Sequence, residues 1–63
     1  MNVNDLIKTK NDKVFKVKNN FVFVKKNTIC KIVQIHDDYV LVRINDDRRN
    51  DVYDYYLTEI ELV

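Results

Sequence analysis

Sixty-three residues with eleven Lys or Arg, ten Asp or Glu and 46% apolar residues describe one small folded domain, without the composition of a disordered tail. The chain has no Gly, Pro, Ala, Ser or Trp and a single cysteine, which excludes a phosphate-cradling glycine loop, a serine nucleophile and an internal disulfide. No apolar run is long enough to cross a bilayer and the first residues do not read as a signal peptide, so a cytoplasmic protein is expected.

Residues 1–12 offer only Val3, Leu6 and Ile7 as apolar anchors and are expected to form an N-terminal extension, as a short helical turn or as disordered chain. The domain itself is expected over residues 13–63. Val14 to Lys18 and Phe21 to Lys25 read as a hairpin turning at Asn19-Asn20, with Val17 opposite Val22 and Phe15 opposite Val24 on the core face. Phe23 then becomes an exposed aromatic. With no glycine available, backbone positions of positive φ are expected to fall to Asn and Asp, which cluster at Asn19-Asn20, Asn27, Asp37-Asp38, Asn45-Asp47 and Asn50-Asp51.

Thr28 to His36 and Tyr39 to Ile44 form the central hairpin, joined by Asp37-Asp38. The second strand alternates, with Val40, Val42 and Ile44 on one face and Tyr39, Leu41 and Arg43 on the other. The first does not, because Ile29, Cys30, Ile32, Val33 and Ile35 fit no single parity. If Val33 and Gln34 together oppose Leu41 in a β-bulge, Ile35 pairs with Val40, Ile32 with Val42 and Cys30 with Ile44. One apolar face results, and the core face sets the register. Lys31 and Arg43 are sent outward. Asn45 to Asp51 is a solvated loop. Val52 to Leu57 returns as a strand, Thr58 and Glu61 suit the capping box of one helical turn, and Leu62-Val63 closes the chain.

Three runs in this order, Cys30-x-Ile32-x-x-Ile35, Val40-x-Val42 and Leu57-Thr58-Glu59-Ile60, resemble the SH3-like small barrels of Tudor and KOW type. The likeness covers about residues 24–63. It implies an all-β fold: a five-stranded SH3-like barrel with a short helical turn before the last strand. It also implies a binding module for peptides, proteins or nucleic acids rather than an enzyme. The family's turn glycines are missing, with Asn27 standing where a Gly is common, and no methyl-ligand cage maps onto this chain.

Function is read from what remains. Cys30 and His36 stand six positions apart on one strand, too far for a catalytic dyad, and Cys30 reads as a core residue. His36, Asp37 and Asp38 read as a turn and not a metal site, so no metal or other cofactor is expected. Tyr39, Tyr53 and Tyr56 offer the rigid, polar-tipped area typical of protein-binding surfaces. Lys25, Lys26, Lys31 and Arg43 form a candidate basic patch for nucleic acid, although a net charge of +1 is small for that role. Residues 1–36 carry a net charge of +6 and residues 37–63 a net charge of −5, an asymmetry that would support weak self-association. The first reading is therefore a small module docking a protein partner. The abundance of Asn, Lys, Ile, Asp and Tyr, whose codons are AT-rich, suits an accessory protein of a phage or plasmid in a low-GC bacterium. Alternatives are a nucleic-acid-binding barrel and a self-associating structural subunit.

Overall fold

The computed structural model describes residues 1–63 as seven strands and one 3-10 turn. They are β1 (Leu6–Thr9), β2 (Lys13–Val17), β3 (Asn20–Val24), β4 (Ile29–Ile35), β5 (Tyr39–Ile44), β6 (Tyr53–Tyr56), the 3-10 turn (Leu57–Glu59) and β7 (Ile60–Leu62). Five of the strands make one antiparallel sheet in the order β6-β5-β4-β1-β7, and β2 with β3 makes a separate hairpin. The protein is all-β. The expected closed barrel is not formed: β6 and β7 end the sheet at opposite edges, and the hairpin bonds its main chain only to itself. β7 pairs only with β1 and β6 only with β5, and neither pairs with the hairpin, so nothing closes the sheet on itself.

The bulge is where the core argument requires it. Cys30 pairs with Ile44, Lys31 with Arg43 and Ile32 with Val42; the register shifts, and Gln34 pairs with Leu41 and Ile35 with Val40. Cys30, Ile32, Val40 and Val42 are fully buried and Ile44 packs against them. Ile35 keeps its pairing but not its burial. As the last residue of β4, at the turn end, it is exposed.

The N-terminal segment overturns its expectation. Leu6–Thr9 is a strand between β4 and β7, so the sheet is not confined to residues 13–63. Few apolar anchors are needed because Thr9 serves as an inward residue alongside Ile7. Both are fully buried, and Thr9 Oγ1 donates to the Lys25 carbonyl (2.9 Å) and accepts from the Thr28 amide (3.0 Å). A buried hydroxyl satisfied on both sides adds stability where an unsatisfied one would subtract it. This pair of bonds also anchors the chain where it leaves the hairpin.

The β2–β3 hairpin turns two residues earlier in its pairing than expected. Val17 pairs with Asn20, Phe15 with Val22 and Val14 with Phe23, so the loop is Lys18-Asn19 and not Asn19-Asn20. Lys18 has φ 56° there, against the expectation that Asn and Asp fill every such position. Asn4, Asn27 and Asp46, with φ of 77°, 70° and 65°, follow the rule. A shift of two preserves parity. Phe15, Val17, Val22 and Val24 still face the core, and Phe15 packs between Tyr53 and Tyr55 at ring-centroid distances of 4.9 and 5.3 Å. Such tilted aromatic pairs contribute about 0.5–1.5 kcal/mol each beyond area burial, and they join the two sheets.

The turn before β7 is also displaced from its expected cap. Glu59 accepts the Tyr56 amide (2.9 Å), where Thr58 and Glu61 were expected to cap it. Glu61 instead pairs with Lys8 across β1 and β7 (3.3 Å). The reason is where the strand stops: β6 ends at Tyr56, so the first unpaired amides belong to that residue and those after it.

Candidate docking surface

The hairpin carries two faces of opposite fate. Its inner face closes the core. Its outer face presents Val14 (59% exposed), Phe21 (73%) and Phe23 (55%), with Lys16 between them. Val14 and Phe23 are directly opposite in register, and Phe21 is opposite Lys16. Exposed single hydrophobes are ordinary, but three on one face of one small hairpin are a patch. Phe23 was legible as an exposed aromatic; Val14 and Phe21 were missed. The signal was present in Asn20–Val24, where Phe21 and Phe23 occupy one parity and Val22 and Val24 the other. A strand apolar on both faces is buried on both sides or offers one to a partner.

The residues expected to bind are divided among three environments. Lys31 and Arg43 form an in-register cross-strand pair, both exposed, on the outer face of β4 and β5. Tyr39 and Tyr56 pair in the same way between β5 and β6, and the His36 ring stacks on Tyr39 at 4.4 Å and 11°. Lys25 and Lys26 belong to the far end of the hairpin, where the Lys26 amide donates to Asp12 (2.7 Å) and both side chains are exposed. Tyr53 belongs to none of these surfaces. It is 2% exposed, packed on Phe15, and its hydroxyl has no hydrogen-bond partner, so it is removed from the set of contact residues. The parity shared by Tyr53, Tyr55 and Leu57 carries the two tyrosines inward and leaves Tyr56 outside.

Lys13 ties the hairpin to the sheet. Its ammonium lies 4.8 Å from the Tyr55 ring centroid, 5.0 Å from Phe15 and 5.7 Å from Tyr56, and it donates to Glu59 (3.0 Å) and to the Asp54 carbonyl (3.1 Å). Burial raises the Glu59 carboxyl, but the bonds from the Tyr56 amide, Lys13 and Asn11 outweigh it and hold the group below the usual carboxylate range. The pair also has a geometric consequence. Leu57 donates to the Asp38 carbonyl, so Tyr56 and Asp54 direct their main-chain groups away from β5, along the outer edge of the sheet. Glu59 takes the donor at Tyr56 and Lys13 takes the acceptor at Asp54. The β6 edge is capped by an ion pair.

Reactive groups are held inside or spread apart. Cys30 is fully buried, and desolvation pushes its thiol up to about 11. Burial likewise raises the Tyr53 and Tyr55 phenols. Asp47 is held low by the Arg49 guanidinium, which it grips through two oxygens at 3.2 and 3.0 Å. No three His, Cys, Asp or Glu side chains converge as a metal site would require, and no helix is long and apolar enough to cross a membrane. The fold and surface thus define an all-β protein with an apolar, lysine-flanked hairpin face. Comparison with protein families, curated proteins and solved structures found no match.

Proposed function

We propose that this protein is a non-enzymatic binding module that docks a protein partner on the outer face of the β2–β3 hairpin. The observation carrying this reading is the set Val14, Phe21 and Phe23, three large apolar side chains left more than half exposed on one face. The SH3-like reading of the fold belongs to the same proposal. A bulged strand, a tight hairpin and a strand running into a single 3-10 turn follow in the order that resemblance implies, which supports it. A cytoplasmic setting and a phage or plasmid origin complete the proposal, resting on the lone thiol and the AT-favoured composition.

One observation favours a second reading, in which the chain binds nucleic acid on the sheet. Lys31 and Arg43 stand opposite one another with no carboxylate partner, an unfavourable pair that an external phosphate would relieve. The two readings separate experimentally. Affinity capture from the native host with wild-type protein and with Phe21→Lys, each after nuclease treatment, is expected to show a protein held by the wild type and lost from the variant. Identical captured sets would overturn the hairpin reading. A mobility shift with oligonucleotides that weakens steeply with salt and disappears in Lys31→Glu would transfer the function to the sheet.

A further inference from the structure

The hairpin differs from the sheet in its edges as well as its face. Residues flanking a two-residue loop bond to each other, so Val17 with Asn20, Phe15 with Val22 and Lys13 with Val24 face inward across the ladder. Phe21 and Phe23 therefore direct their amides and carbonyls outward along β3. No main-chain hydrogen bond joins residues 13–24 to any other part of the chain, and no side chain caps β3. This free edge is bordered by open space. A recess of about 440 Å³ lies between Phe23–Lys25 and Ile44–Asp47, and another of about 500 Å³ lies between the hairpin tip and Asn50-Asp51. Arg49 lines both; the first recess borders Phe23 and the second borders Asn20 and Val22, one at each end of β3.

We infer that β3 takes a further strand, an extended segment of a partner protein that alternates carboxylate and small apolar side chains. This rests on the protein-docking reading and specifies how the docking is made. The free main-chain groups of Phe21 and Phe23 require an extended ligand, since only a strand matches their spacing. Alternation follows from the two sides of β3. A residue on the inner side meets half-buried Val22 and Ile44, and one on the outer side meets the row Phe21, Phe23 and Lys25. The acidic half of the pattern comes from charge. Lys16, Lys18, Lys25 and Lys26 are all exposed and none has a carboxylate within ion-pair distance. The carboxylates therefore belong on the outer side beside Lys16 and Lys25, while the recesses, walled by Asp46, Asp47 and Asp51, take the apolar half. β3 itself, Asn20–Val24, carries no proline, no charged residue and no covering side chain to protect its edge.

The probe is a nine-residue peptide alternating glutamate and valine, whose own charge discourages self-pairing. Titrated against the full chain with residue-resolved amide exchange, it should slow Phe21 and Phe23 amide exchange and weaken with salt. A lysine–valine peptide of equal length, and a glutamate–valine peptide N-methylated at alternate residues, should each bind at least about tenfold more weakly. Absence of binding, equal binding of the N-methylated peptide, or equal binding of the lysine–valine peptide overturns the inference. Phe21→Glu, at a position 73% exposed, should keep its fold by circular dichroism and weaken the peptide at least about tenfold by charge repulsion and lost apolar contact. If the peptide fails while partner capture still depends on Phe21, strand addition falls and docking stands. If capture ignores Phe21, the docking reading itself falls.

Discussion

The five-stranded sheet and the β2–β3 hairpin use the same residue types, yet the sheet's edges are short or partly capped and the hairpin's are neither. At one edge of the sheet β7 is only three residues long, and at the other Glu59 and Lys13 occupy main-chain groups of β6. Short edges and covered edges are the usual ways a β-protein avoids indiscriminate pairing. The hairpin has neither. Its strands are five residues each, both edges are free of main-chain partners, and its outer face is apolar. Most of the buried core lies in the sheet, and the hairpin carries the exposed apolar face and the unpaired edges.

The sharpest way to break that comparison is to truncate one side chain in each region. A domain of this length has roughly 3–9 kcal/mol of stability in total. Ile32→Ala, beside the bulge and fully buried, is expected to cost about 2–5 kcal/mol and leave much of the protein unfolded, whereas Phe21→Ala should change stability by less than about 0.5 kcal/mol. Urea titration followed by circular dichroism reads both. A large loss at Phe21 would mean that the hairpin face is structural.

The second effect sharpens the contrast between edges. Lys13 and Glu59 are partly solvent-exposed, so their mutual attraction is screened, and most of the cost of Glu59→Ala comes from the bond to the Tyr56 amide. About 1 kcal/mol is expected. Its pH signature has a definite sign. Because the folded carboxyl is held low, its stabilisation is present above the ordinary carboxylate range and is lost as pH falls through the folded value. Glu59→Ala should flatten that acid limb, and sedimentation should show more self-association once the β6 edge is uncapped.

At the other end of the scale, Cys30, Tyr53 and Tyr55 are held protonated by burial. Their raised folded values mean that stability is full below the unfolded values and declines as pH rises through the folded ones, from roughly pH 9 upward. Thermal melts across that range should show the decline, and a flat profile would contradict it. The smallest effect concerns the same tyrosines. Their hydroxyls are buried without partners, so Tyr53→Phe and Tyr55→Phe should be neutral or stabilising by up to about 1 kcal/mol in urea titrations.

Particular residues explain which parts of this were legible. The β4–β5 register was, because Ile32, Val40 and Val42 admit only one pairing that buries them together, and the bulge at Val33-Gln34 follows. The hairpin loop was not. Moving the turn from Asn19-Asn20 to Lys18-Asn19 keeps every side chain on its face, so burial cannot distinguish the two, and a lysine at positive φ breaks the propensity rule. β1 was hidden because its second inward residue is Thr9, whose burial depends on partners 16 and 19 residues away. The candidate site was half legible. Alternation exposed Phe23, Lys31, Arg43 and Tyr56, but the edge capping by Lys13 and Glu59 links positions 46 residues apart that no local pattern joins.

Amide exchange in the free protein, resolved by residue, tests the division between the sheet's edges and the hairpin's most directly. The Val40 and Val42 amides should be slow, the Tyr56 amide should be protected although it lies at an edge, and Phe21 and Phe23 should exchange near the rate of unstructured chain. Phe21 and Phe23 protected as strongly as Val40, or Tyr56 as unprotected as Phe21, would contradict it.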